Sequence, residues 1–166
     1  MPTTDVVRRS AASGFAPMVR GLLAILACTS LGLSAAPPAL PQARDLAADA
    51  RLMEADGLPM VVLYSQAGCH YCEQARDYLG PMAQSSTRAL FRQIDLDSDA
   101  PLTDFAGRPS THREFTRAHE VRFTPTVVIY DARGRPVGEP IVGMTLPDFY
   151  AQYVDNAIDA AHEKNR

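Results

Sequence analysis

The segment Pro59–Arg76, PMVVLYSQAGCHYCEQAR, constrains this chain more than any other. Met60 to Tyr64 is a continuous apolar run with two adjacent valines, and a run that offers no polar face reads as a central parallel strand buried on both sides. Cys69 and Cys72 follow at the start of a helix whose apolar positions are Ala75, Leu79 and Met82, and which Gly80-Pro81 should kink or end. A cysteine placed where a buried strand hands over to a helix has a chemical consequence. The first-turn N–H groups and the helix dipole stabilise its thiolate, and such cysteines have pKa values lowered to about 3.5–7.5. Cys69 is therefore the expected attacking sulfur. Cys72, one turn inward, is the expected resolving thiol that closes on the mixed disulfide. His70, at the same terminus, adds positive charge when protonated, which favours the thiolate and makes the couple more oxidising.

The bland alternatives fare worse on these residues. A structural disulfide across so short a loop removes little chain entropy. A c-type haem needs His directly after the second cysteine, where Glu73 stands. Zinc wants two more ligands. His112 and His119 lie on one expected helix, about 10.5 Å apart at 1.5 Å per residue, too far to ligate together, and both are expected on the solvated surface. No metal site is assigned, although copper(I) held by the same dithiol in a metal chaperone stays open as the non-enzymatic alternative. Asp95 to Asp99 resembles the start of a calcium loop, but Ala100 and Ala106 stand where Gly and Glu are required, so an acidic loop at a strand end is the better account. Tyr71 reads equally as a substrate-facing aromatic or as helix-turn packing. Arg113 and Arg117 read as solvated.

Around this centre the chain alternates elements. Leu46, Ala47, Ala50 and Met53 share a helical face that Gly57 should stop, and Ala89–Asp97 makes a second strand. The stretch from Ser98 to Ser110 is a loop or small hairpin, and Thr111 with Glu114 forms a capping box for a helix through Phe115, Ala118 and His119. Strand, tight turn at Arg133-Gly134 and strand follow as a hairpin. Thr145 with Asp148 caps a last helix, whose apolar face is Phe149, Tyr150, Tyr153, Val154, Ala157, Ile158 and Ala161. A βαβ unit followed by a ββα unit, one sheet with helices on both sides, is the arrangement this order predicts.

The first third reads as an address. Arg8, Arg9 and Arg20 precede an uncharged apolar stretch, Gly21–Ala36, that ends in small residues and is short for a hydrocarbon core of roughly 30 Å. Residues 1–36 are expected to be a cleaved signal peptide, 37–41 a proline-rich, extended linker, and 42–166 the folded domain. The run continuing past Cys28 favours cleavage over lipoprotein anchoring there, and Arg8-Arg9 only weakly suggests a twin-arginine signal. Removing 1–36 leaves 13 basic and 18 acidic residues, against 16 and 19 in the whole chain, so the formal net charge moves from -3 to -5. An acidic domain offers no surface for phosphate backbones, and nucleic acid is not an expected partner. The mature chain would keep only Cys69 and Cys72.

These residues resemble the thioredoxin superfamily over nearly all of 42–166, most specifically in GCHYC, VRFTPTVVIYDARGRPV and GMTLPDFYAQYV. The resemblance implies a thioredoxin-like α/β fold, a mixed central sheet flanked by helices, with a loop insertion after the second strand. It implies that Pro125 is a cis-proline abutting the dithiol and keeping metal away, and that the Thr124 backbone pairs with an extended substrate segment. Within the superfamily the chain is most similar to exported proteins of the SoxW type. That likeness implies a periplasmic, monomeric protein-disulfide reductase with no cofactor beyond the redox-active Cys69–Cys72 disulfide. Its partners would be a cysteine-containing protein substrate and a membrane thiol electron donor of the DsbD or CcdA kind. An oxidant, or isomerase-like exchange, is the alternative direction. The chain departs from thioredoxins proper in having Gly68 before the first cysteine, His70-Tyr71 between the two, and Leu63 where a buried acid is expected. Water or Glu73 would then have to take the Cys72 proton.

Overall fold

The computed structural model describes residues 39–144 and 146–164. The expected export signal at 1–36, Cys28 within it, and Thr145, the expected cap of the last helix, lie outside the described residues. The chain joins the fold earlier than expected. Leu40, assigned to an extended linker, is buried in the core. The Gln93 N–H donates to the Pro41 carbonyl and the Ala43 N–H to the Gln93 carbonyl, each at 2.8 Å, so Gln42 bridges Gln93 in parallel as an extra edge segment.

Asp45 opens helix α1 (Leu46–Asp56) by accepting the Ala48 N–H at 2.8 Å, and Gly57 closes it with left-handed backbone at φ 67. Strand β1 (Met60–Ser65) is buried at every position. It pairs in parallel with β2 (Leu90–Asp95) and antiparallel with β5 (Thr126–Tyr130), which pairs antiparallel with the short β6 (Ile141–Val142). The sheet order is β2-β1-β5-β6. Between β2 and β5, the small hairpin β3 (Pro101–Thr103) and β4 (Pro109–Thr111) leads into α3 (His112–Ala118), which starts with the predicted Thr111/Glu114 capping box. A 3-10 turn (Pro147–Phe149) precedes α4 (Tyr150–Lys164). The period-two alternation of β1 sends Val61 and Leu63 to one core, shared with Ala75 and Leu79 of α2 (His70–Ser85) and Val154 and Ile158 of α4. Met60, Val62 and Tyr64 go to the opposite core, shared with Leu46, Met53 and Phe115. The fold is thus a mixed sheet covered by helices on both faces, as the order of elements predicts.

Several expectations are corrected. Of the two outcomes expected at Gly80-Pro81, a kink or an end, the end does not occur, and helix α2 continues to Ser85 with Pro81 inside it. Pro81 is exposed, so the Asp77 carbonyl that loses its intrahelical donor can turn to water, and Gly80 has no Cβ to clash with the following proline ring. His112 is not solvated. It is 2% exposed, its Nδ1 accepting the Asp95 N–H at 3.0 Å, which leaves Nε2 to donate to the Ala43 carbonyl at 2.8 Å. The ring satisfies two backbone groups between the N-terminal segment and β2. His119 is half-buried and stacks on Phe115 with ring centroids 3.9 Å apart. Arg113 is not merely solvated either: it pairs with Asp99 at 2.7 Å and donates to the Asp97 carbonyl, holding the acidic loop. Phe149 and Tyr153 leave the expected apolar face, 57% and 42% exposed, because the buried stripe of α4 is the narrower set Tyr150, Val154, Ile158 and Ala161.

Two turns share one construction. In Asp104–Arg108 and in Asp131–Arg135, an Asp carboxylate accepts the N–H groups two and four residues on and also binds the arginine side chain. Burial pushes both carboxyls up, but these hydrogen bonds and the arginine charge outweigh it and hold Asp104 and Asp131 below the usual range. Gly134 in the second turn has φ 74, and a Cβ there would meet the Phe105 ring at 2.5 Å.

Across the sheet the hydroxyls of Tyr64 and Tyr130 meet at 2.6 Å in the core. Burial first, then the partner phenol, raises the Tyr64 pKa well above 10, and burial raises that of Tyr130 to about 12. Native tyrosines that hold their protons above the unfolded value of about 10 stabilise the fold below that pH, and the contribution is lost as pH rises through 10 towards 12. Urea midpoints are expected to fall between pH 9 and 11 in the native protein, and less steeply in the Tyr64→Phe/Tyr130→Phe double variant. At pH 7 Tyr130→Phe alone should cost about 1–3 kcal/mol by stranding the Tyr64 hydroxyl, and the double variant less. Equal slopes above pH 9 would refute the assignment.

Candidate active site

The site forms where β1 leaves the sheet. After Ser65, the exposed residues Gln66, Ala67 and Gly68 carry the chain to Cys69, the N-cap of α2. Cys69 has extended backbone, φ -87 and ψ 103, and its Sγ accepts the Cys72 N–H at 3.2 Å, so the sulfur itself caps the helix. That is the arrangement in which N–H groups and the helix dipole favour negative charge on sulfur. Cys69 is joined to Cys72 by a disulfide, with Cα atoms 5.2 Å apart. The two sulfurs differ in access: Cys69 is half-buried at the surface, while Cys72 is completely buried on the core face of α2.

The loop before β5 approaches from the far side. The Thr124 hydroxyl donates to Cys69 Sγ at 3.6 Å, and the Thr124-Pro125 peptide is cis. Pro125 is buried, and its carbonyl accepts the Gly143 N–H at 2.8 Å, which ties the loop to the segment after β6. The Thr126 hydroxyl donates back to the Phe123 carbonyl at 2.8 Å. Cys69, Cys72, Thr124 and Pro125 therefore come together although the sequence separates the pairs widely. His70 and Tyr71 sit on the solvent side of the first helical turn, their rings tilted against one another at 5.7 Å, and Tyr71 is 58% exposed. That exposure puts Tyr71 on the surface around Cys69 rather than in packing. Phe123, beside Thr124 and 69% exposed, adds an aromatic the sequence reading did not single out.

Leu63, which stands where the resemblance expects a buried acid, is fully buried and supplies no carboxylate. The reading of the sequence missed the polar contact nearby, in which Arg76 of α2 donates to the Ser65 hydroxyl at 2.9 Å. Among the described residues no group of three or more His, Cys, Asp or Glu side chains is placed to hold a metal ion.

The family profile of the thioredoxin-like domain matches residues 46–158. The chain belongs to the thioredoxin-like family. Solved thioredoxin-like structures share the fold at low identity. Spinach chloroplast thioredoxin f superposes with a TM-score of 0.53 at 16% identity, over 76% of this chain and 96% of that one. A protein described as DsbH oxidoreductase gives 0.51 at 15% identity, over 74% and 88%. Deadhead, a germline-specific thioredoxin of Drosophila melanogaster, gives 0.50 at 18%, over 69% and 96%. No curated protein matches this chain. A thioredoxin-like domain carrying a Cys-x-x-Cys disulfide at a helix N-terminus has the general equipment of a thiol-disulfide oxidoreductase.

Proposed function

We propose that the protein is a periplasmic thiol-disulfide oxidoreductase of the SoxW type, acting as a reductase on the disulfide of a protein partner. The observation that carries this reading is the asymmetry of the pair, with Cys69 at the surface capping α2 and Cys72 completely buried next to it. In the reduced enzyme the Cys69 thiolate attacks one sulfur of the substrate disulfide. A Cys69–substrate bond forms, and the other substrate sulfur leaves as a thiolate and takes a proton from water. Cys72 then gives up its proton and attacks Cys69 Sγ, forming the Cys69–Cys72 bond and releasing the second substrate sulfur. Two electrons have passed from enzyme to substrate. With Leu63 rather than an acid at that position of β1, water reaching the mixed disulfide is the acceptor for the Cys72 proton. Thr124 hydrogen-bonds the Cys69 sulfur in place, and an extended substrate segment lies along Thr124 and Pro125 with Tyr71 against it. His70 adds charge beside the nucleophile.

Export through residues 1–36, a monomeric state and recharging by a membrane thiol donor of the DsbD or CcdA kind belong to the same reading. Direction is decided by the reduction potential, measured by equilibrating the purified domain with glutathione redox buffers. A value near the about -270 mV of thioredoxin is expected, and one near the about -120 mV of DsbA would make the protein an oxidant instead. His70 beside the nucleophile is the feature that favours this second outcome.

A further inference from the structure

Arg76 is a cation in an unusual position. Its guanidinium donates to the hydroxyl of Ser65, a completely buried residue at the end of β1, and it makes no ion pair among the described residues. Every other arginine bond to a side chain in the described fold ends on a carboxylate, as at Asp49, Asp99, Asp104, Asp131 and Asp159. Arg76 is half-buried, and its guanidinium stops on a neutral hydroxyl without a fixed counter-charge.

Its location follows from helix geometry. Arg76 is four residues after Cys72, so the two share one face of α2 with Cβ atoms at that spacing about 5–6 Å apart, and Cys69 is the N-cap of the same helix. Long helical side chains lean toward the N-terminus, over the preceding turn, and that turn carries Cys72. The bond to Ser65 fixes this lean, because Ser65 is where β1 ends and the Gln66–Gly68 loop to Cys69 begins. Other charged groups surround the same region. Glu73 and His70 are exposed in the first turn of α2, and Asp77 is exposed further along the helix. Asp95 at the end of β2 is the register partner of Ser65, and its carboxylate is occupied by the Gln93 amide at 2.7 Å.

We propose that Arg76 is a positioning residue for the dithiol, which stores a positive charge against the loop and helix turn that hold Cys69 and Cys72 and so favours the reduced, thiolate-bearing pair over the disulfide. Ser65 is the anchor that keeps the charge there. The inference rests on the thiol-exchange reading, but its test does not need the protein substrate. Wild type, Arg76→Gln, Arg76→Lys and Ser65→Ala are equilibrated with glutathione redox buffers, and the thiolate absorbance of each reduced protein near 240 nm is followed against pH. Exchange of the wild-type disulfide with glutathione tests the underlying reading by itself. Arg76→Gln is expected to shift the glutathione equilibrium toward the disulfide by about threefold to tenfold, and to move the onset of thiolate absorbance to higher pH. Arg76→Lys keeps the charge and should stay within about twofold of wild type, with Ser65→Ala between the two. The proposal is overturned if Arg76→Gln leaves both readouts unchanged. It is equally overturned if Arg76→Lys shifts them as far as Arg76→Gln, since the residue would then matter by shape alone.

Discussion

Cys72→Ser is expected to turn a catalyst into a trap. Cys69 keeps its place as the N-cap of α2 and its exposure, so the first attack on a disulfide proceeds as in the native protein. Resolution then fails, because the sulfur that sat with its Cα 5.2 Å from that of Cys69 is now an oxygen that cannot displace a thiolate. Incubated with insulin, or with a periplasmic extract, the variant should accumulate a covalent adduct through Cys69 that dithiothreitol releases. The Cys69→Ser variant should form none. Turnover of insulin reduction should fall in Cys69→Ser on the order of a thousandfold or more, as in other enzymes stripped of a covalent nucleophile. Burial of Cys72 sharpens the contrast, since a completely buried thiol cannot substitute as the attacking group. If wild type and Cys69→Ser were equally inactive while the wild type retained stoichiometric copper(I), the dithiol would be a metal carrier. If Cys72→Ser turned over normally without an adduct, the assignment of roles within the pair would be wrong.

Local chemistry was the legible part of this chain. The buried strand, the cysteines at a helix start, the Thr111/Glu114 box and the Gly57 stop each depend on residues within a few positions of one another, and each appears in the structure as read. What escaped depends on distant partners. His112 looks polar and solvated in its helix, yet the two backbone groups that bury it come from Ala43 and Asp95. Leu40 looks like linker until the edge of β2 is present to receive its neighbours Pro41 and Gln42. The continuation of α2 past Pro81 was hidden for a different reason. A proline inside a helix costs a hydrogen bond and a ring clash with the carbonyl four residues back, and whether packing elsewhere offsets that cost is not written in the local sequence. Arg76 was overlooked because one arginine on a helix is ordinarily a solvated charge, and only the position of Ser65 makes it otherwise.

The buried ion pair on the other face of the sheet supplies the largest expected loss of stability. Asp49 of α1 is 6% exposed, and Arg92 of β2 grips it with two bonds, Nε to Oδ2 at 2.8 Å and a terminal nitrogen to Oδ1 at 2.5 Å, while its other terminal nitrogen donates to the Phe91 carbonyl. Arg92→Leu leaves that carboxylate in the interior without its partner, at a cost of about 3 kcal/mol, the low end for a broken buried pair because the arginine side chain keeps some contact with water. The Asp49→Leu/Arg92→Leu double variant removes both charges and should recover most of the loss, to within about 1 kcal/mol of wild type. Urea unfolding followed by circular dichroism reads both values. A single variant within a few tenths of a kcal/mol of wild type, or a double variant worse than the single, would show that the pair is not what holds α1 to the sheet. Arg92 lies beside Leu90 and Ile94 on the α1 face, whereas Ser65 and Arg76 lie on the α2 face. The glutathione equilibrium of Arg92→Leu should therefore match wild type even as its stability falls, which separates weakening of the scaffold from a change in the charge beside the dithiol.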